Sequence, residues 1–180
     1  MSPTKRVLDT VLLLTAQGFG AGRVPVAPGT LGSAIGLLWF FILLSTANLW
    51  AYVACALGFL AFAVWSCGAA EKILGQKDPS SVVLDEIAAV PLCFLTWLAH
   101  CLSDLGRFPG IEDFLPDNWT DVLAVLIAFR IFDIWKPWPI RHSQALPGGW
   151  GVTVDDFLAA LYVNGVFEIC YQLKFLFHRV

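Results

Sequence analysis

The sequence predicts an all-α fold: a small multispanning helical bundle integral to a membrane, with about five membrane helices and an interfacial helix at the N-terminus. Composition is the first reason, since hydrophobic residues make up 58% of the 180-residue chain and charged residues only 14%, against roughly 45–50% and 25% in soluble domains. Mean hydropathy, at +0.72, says the same. The third reason is spacing: no charge occurs between Val24 and Ala70, a run too long for one crossing of about 20 residues and long enough for two.

Taken in order, Val7 to Ala16 follows Lys5 and Arg6 and is interrupted by Asp9, without a convincing small-residue cleavage site. That pattern suits an amphipathic or interfacial helix better than a signal peptide. The uncharged run then divides at Ser45-Thr46-Ala47-Asn48 into spans of about Leu31 to Leu44 and Leu49 to Ala70. A third span is expected over Ile87 to Ser103, and shorter or less uniform ones over Trp119 to Phe132 and Phe157 to Tyr171. No composition shift marks a boundary, so residues 1–180 read as one domain.

Charge placement gives an orientation. With Lys5, Arg6 and Arg23 on the cytoplasmic side, alternation puts Glu71 to Glu86 inside and the loop Asp104 to Asp121 outside. That loop carries five acids and one arginine, Arg107, whereas the inner segments hold Lys72, Lys77, Arg130, Lys136 and Arg141. The C-terminus, with Lys174 and Arg179, would then lie outside unless the last helix is re-entrant. Trp135, Trp138 and Trp150 flank the inner segments, as indoles do at headgroup depth or simply at span ends.

A net charge of -3 with scattered Lys and Arg offers no footprint for nucleic acid. Five cysteines, Cys55, Cys67, Cys93, Cys101 and Cys170, form no CxxC pair and mostly lie in apolar runs, as packing thiols do.

The chemistry concentrates in two similar stretches, SVVLDEIAAV (Ser81 to Val90) and GVTVDDFLAA (Gly151 to Ala160). Each places adjacent carboxylates before an apolar run: Asp85 with Glu86, and Asp155 with Asp156. One acid suffices to cap a helix. A second, repeated in both copies, and Asp133 nearby in RIFDIW, bring like charges together at the edge of a bilayer, where they repel. A hard divalent cation such as Mg²⁺ would offset them, because it takes carboxylate, water and phosphate oxygens. Zinc fits poorly, since His100, His142 and His178 show no ligand spacing. Structural ion pairs with Arg130, Lys136 and Arg141 are the competing reading; Arg130, Asp133 and Lys136, spaced i, i+3, could form one salt-bridged stripe.

The same cations could instead grip phosphate, and Pro137 and Pro139 would stiffen the chain that aims Lys136 and Arg141. The segment QGFGAGRVPVAPGTLGS, Gln17 to Ser33, adds glycines and Thr30 at a helix start, a weak anion-site signal that helix packing explains equally well.

Four blocks in order, GFGAGRVPVAPGTLGS (Gly18 to Ser33), VLDE (Val83 to Glu86), FRIFDIWKPWPIR (Phe129 to Arg141) and GGWGVTVDDFLA (Gly148 to Ala159), resemble the phosphatidylglycerophosphatase A family of bacterial membrane enzymes. The resemblance covers nearly the whole chain from Gly18 onward. It implies hydrolysis of the terminal phosphomonoester of phosphatidylglycerol phosphate, with Mg²⁺ as cofactor and the site at the cytoplasmic face of the inner membrane. Asp85, Glu86, Asp133, Asp155 and Asp156 would hold the cation. Asp85, Asp133 and Asp156 are the candidate catalytic acids, with water or Asp133 as nucleophile. Thr30, Arg130, Lys136 and Arg141 would bind the substrate phosphate.

Two departures stand out: HSQALP, His142 to Pro147, lacks the charge expected after PWPIR, and Pro91 falls early in the third span. A small cation transporter is the alternative class, but it would need carboxylates along mid-span, where only Glu168 lies. A dimer is permitted and nothing requires it.

Overall fold

A computed structural model describes residues 2–177; His178 and Arg179 lie outside the described residues. The described chain is helical, with no strand. Helix α1 (Pro3–Ala16) leads through a 3₁₀ segment (Gly18–Arg23) into α2 (Pro28–Leu44) and α3 (Leu49–Leu74). Then come α4 (Leu84–Ala89), a 3₁₀ turn (Val90–Phe94), α5 (Leu95–Leu105), α6 (Trp119–Trp135), the short α7 (Ile140–Ser143) and α8 (Gly149–Phe177).

All five expected spans correspond to helical segments, but their capacity to cross differs. Among the described residues only Leu49–Leu74 and the run Leu84–Leu105 are both long and apolar enough. Helices α2 and α6 stop at 17 residues each, and α8 is interrupted by Asn164, Glu168 and Gln172. Of the five expected crossings, two thus have membrane-capable helices among the described residues, and α2 is a shorter apolar one.

Helix α1 starts at Ser2, whose Oγ accepts from the Lys5 N–H at 3.4 Å, with Pro3 in the first turn where its missing N–H costs nothing. It leaves Val7, Leu8 and Val11 exposed while Leu12, Leu13 and Ala16 pack inward. Asn48 caps α3 by accepting from the Ala51 N–H at 3.1 Å.

The core has two parts of different grain. One is aromatic: Phe40 stacks on Phe94 with centroids 4.0 Å apart, and Phe114 meets Phe40 edge-on at 5.1 Å. The other is built of small residues, Ala16, Ala63, Cys67, Ala70, Ala88 and Val152 among them. Small side chains there let α1, α3, α4 and α8 approach closely. All five cysteines are free; Cys67 and Cys93 are buried, whereas Cys55 and Cys170 are exposed.

Pro91 ends α4 and begins the 3₁₀ turn into α5. Proline removes a donor and frees carbonyls that must find partners elsewhere. Buried Asn164 of α8 supplies much of this: its Oδ1 accepts from the Thr96 N–H at 2.7 Å, and its Nδ2 donates to the Leu92 carbonyl at 2.7 Å and the Ala160 carbonyl at 2.8 Å. Tyr52 donates to the Pro91 carbonyl at 2.7 Å. Asn164→Leu keeps the volume and strands these groups, so we expect a loss of about 2–4 kcal/mol, read as a lower midpoint in thermal or denaturant unfolding. An unchanged midpoint would mean the kink is held by other contacts.

Candidate active site

Both acid pairs meet at one end of the bundle. Asp85 and Glu86 stand in the first turn of α4, where no side chain caps the helix. Asp155 and Asp156 lie well inside α8, which begins at Gly149. The second pair therefore does not precede its helix, as the sequence pattern suggested, and capping explains neither pair.

Close backbone packing sets their positions. A Cβ on Gly149 would overlap the Val64 carbonyl, and one on Gly68 would come within 2.7 Å of the Gly149 nitrogen. The GGWG stretch thus lets α8 cross tight against α3. On α2, Gly29, Gly32 and Gly36 form one stripe against α4: a Cβ at Gly29 or Gly32 would overlap the Glu86 carboxylate, and one at Gly36 would reach within 2.8 Å of Val90. Farther back, a Cβ on Gly22 would overlap the Ser81 carbonyl. The glycine block is mainly a helix-packing device that seats α4, and Gly29 also lines the cavity. Gly32→Ala should displace Glu86 and lower kcat about tenfold or more with modest loss of stability, because a side-chain end can yield where backbone cannot. Kinetics and a melting curve on the same preparation check this; unaltered kcat would show that Glu86 tolerates the shift.

The resulting cavity, about 250 Å³, is lined by six carboxylates, Asp78, Asp85, Glu86, Asp133, Asp155 and Asp156, and by two cations, Arg130 and Lys136. Arg130 Nη1 lies 2.8 Å from Glu86 Oε1 and 2.8 Å from Asp133 Oδ2. Lys136 caps α6 in a left-handed conformation, φ 48°. Its ammonium pairs with Asp155 and sits 3.9 Å from Asp133. The i, i+3 stripe is real, and it reaches across to both acid pairs.

Two cations leave the acids in excess, and three carboxylate oxygens have no donor. Asp85 Oδ1, Glu86 Oε2 and Asp156 Oδ2 are buried without a hydrogen-bond partner, although Asp85 and Asp156 are only 7% and 2% exposed. Such groups normally have partners. They are hard oxygen donors, which suits Mg²⁺ in kind; in their present arrangement no three Asp, Glu, His or Cys side chains among the described residues are gathered tightly enough to hold one ion.

The other sequence candidates sit apart. Thr30 and Arg141 are exposed and do not line the cavity. Two participants carried no sequence signal: Asp78, in the α3–α4 connection, and Gln144, whose Nε2 donates to Asp155 Oδ2 at 3.3 Å. A larger cavity of about 470 Å³ between α5, α6 and α8 is mostly apolar. His100, which lines it, is paired with the mid-helix acid Glu168 of α8 at 2.7 Å.

The phosphatidylglycerophosphatase A family model matches residues 14–171 of the chain. The chain belongs to the phosphatidylglycerophosphatase A family. The match takes in both acid pairs, the α6 stripe and the glycine block. Among curated proteins, the chain is 36% identical over 176 residues to phosphatidylglycerophosphatase A of Haemophilus influenzae, covering 96% of this chain and 97% of that one. It is 33% identical over 156 residues to phosphatidylglycerophosphatase A of Escherichia coli, with 85% and 79% coverage. A Bacteroides thetaiotaomicron protein provisionally named a phosphatidylinositol-3-phosphatase is 35% identical over 157 residues, with 83% and 87% coverage. No solved structure gives a significant match.

Proposed function

We propose that this phosphatase removes the terminal phosphate of phosphatidylglycerol phosphate, giving phosphatidylglycerol and inorganic phosphate, with Mg²⁺ as its cofactor. The observation that carries the reading is a single cavity where surplus, partly orphaned carboxylates meet two cations, in a chain similar to two bacterial proteins named for that activity.

Because no three of these side chains converge on one point, Asp85, Glu86 and Asp156 would hold the cation partly through water, and its charge would stabilise the phosphoryl oxygens and lower the pKa of a water. Arg130 and Lys136 bind the substrate phosphate, exchanging part of their hold on Glu86, Asp133 and Asp155 for phosphate oxygens. Asp133 and Asp155 keep the two cations aimed into the cavity when substrate leaves. Phosphoryl transfer asks mainly for positioning and charge stabilisation, which this set supplies without a covalent intermediate.

The site would open at headgroup depth on the cytoplasmic face of a multi-pass inner-membrane protein. Supporting this, Trp135, Trp138 and Trp150, at the same end as the cavity, are 72%, 75% and 58% exposed. The flanks of α3 and α6 expose Leu57, Phe62, Trp65, Ile127 and Ile131, a surface suited to lipid. The transport alternative loses ground because Glu168 is tied to His100 and Gln172 rather than standing in a file of carboxylates.

The test is phosphate release by purified protein in mixed micelles, with Mg²⁺ or chelator, from phosphatidylglycerol phosphate, phosphatidylinositol 3-phosphate and phosphatidic acid. Metal-dependent release confined to the first supports the proposal. Preference for the inositol lipid would move the substrate, and release undiminished by chelator would remove the cofactor.

A further inference from the structure

We propose that Asp78 is a further catalytic residue, the proton donor to the leaving oxygen of the phosphomonoester; this rests on the phosphomonoesterase reading above. The assignment comes from what each cavity carboxylate is free to do. Asp85 and Asp156 are sealed from solvent, Glu86 and Asp133 are engaged by Arg130, and Asp155 is engaged by Lys136. Among the six lining carboxylates Asp78 alone is exposed, and no ion pair from the described residues holds it. With Ala27 and Ser80, also exposed, it forms the mouth of the cavity, where the alcohol half of a lipid phosphate must lie if the phosphate is gripped inside.

Its backbone is fixed for the purpose. Asp78 takes a left-handed conformation, φ 48°, and its N–H donates to Glu71 Oε1 of α3 at 2.8 Å. Just beyond it, the Val82 N–H donates to the Pro79 carbonyl at 2.8 Å, Ser81 Oγ accepts from Gln17 Nε2 at 3.1 Å, and the Val83 N–H donates to the Ala16 carbonyl at 3.0 Å. A non-glycine residue at positive φ is strained, and neighbouring structure must hold it; here both ends of the connection are pinned.

The surroundings shift the Asp78 carboxyl toward its protonated form, the direction a proton donor needs. Partial burial lifts the Asp78 carboxyl above its ordinary range; Lys136 and Lys77 oppose the rise, and Glu71 and Asp133 add to it. In the step, the bond from phosphorus to the glycerol oxygen breaks as the Asp78 proton passes to that oxygen. A water oxygen bonds to phosphorus and gives one proton to a phosphate oxygen. Asp78 then regains a proton from bulk water as the phosphate sheds one. An alkoxide leaving group needs that proton, whereas a nitrophenolate does not.

The experiment compares wild type, Asp78→Asn and Asp78→Glu on two phosphomonoesters in the same micelles, an alkyl lipid phosphate and a nitrophenyl phosphate. Asp78→Asn should cut kcat on the alkyl ester about 10²–10³-fold and on the nitrophenyl ester no more than about threefold, with Asp78→Glu recovering part of the alkyl rate. Equal losses on both esters, or no loss on the alkyl ester, would overturn the assignment. The lipid preference of wild type is read separately, so an error in substrate identity is distinguishable from an error about Asp78.

Discussion

Asp156→Asn should abolish turnover, lowering kcat by about 10³-fold or more, while the protein melts no lower, and in chelator higher, than wild type. The two halves of that result belong together. Asp156 is 2% exposed, its Oδ2 has no donor, and it shares the cavity with five other carboxylates and only two cations. A buried, unpaired charge among like charges costs stability. An isosteric amide relieves the repulsion but cannot supply an anionic ligand to a cation. Asp85→Asn should behave alike, for the same reasons of burial and an orphaned Oδ1. Were the acids merely structural ion pairs, Asp156→Asn would lower the melting temperature and spare the rate. Steady-state kinetics and melting curves with and without chelator separate the two.

Arg130→Ala should act in the opposite direction on stability. One guanidinium nitrogen bridges Glu86 on α4 and Asp133 on its own helix, each at 2.8 Å, and all three side chains are largely enclosed, at 22% exposure for Arg130 and 13% for each acid. Removing it leaves Glu86 without a cation and Asp133 with Lys136 alone, 3.9 Å away. We expect kcat/KM to fall about 10²–10³-fold and stability to fall by about 2–3 kcal/mol, below the range for fully buried pairs because the cavity admits water. Arg130→Lys retains the charge but not the planar fork, so it should recover stability more than activity. A variant in which both properties return with lysine would reduce Arg130 to a charge balance.

Much of this was legible in the sequence because it is local. The polar break at Ser45 to Asn48 divides α2 from α3 where the sequence placed it, and the doubled acid pair with the stripe Arg130, Asp133, Lys136 identified residues that line one cavity. Thr30 misled because nearness in sequence is not nearness on a helix: each residue turns about 100°, so Gly29 faces Glu86 and Thr30 faces out. Arg141 misled similarly, since the chain after Pro137 and Pro139 forms the short α7 and exposes it. Asp78 was invisible because a lone acid in a Lys-Asp-Pro turn has no periodicity or partner in sequence. Only the packing of α3, α4 and α6 brings it to the cavity. The reach of each helix across a bilayer was also less readable than its existence, since that depends on where α2, α6 and α8 meet their polar residues.

On the proposed function, the surplus carboxylates between α4 and α8 bind a divalent cation. Titration of Mn²⁺, as a spin probe for Mg²⁺, into purified protein followed by electron paramagnetic resonance tests this directly. Saturable binding is expected, displaced by Mg²⁺ and lost in both Asp85→Asn and Asp156→Asn while the two variants remain folded. Equal binding by wild type and both variants, or none by folded wild type, would contradict it.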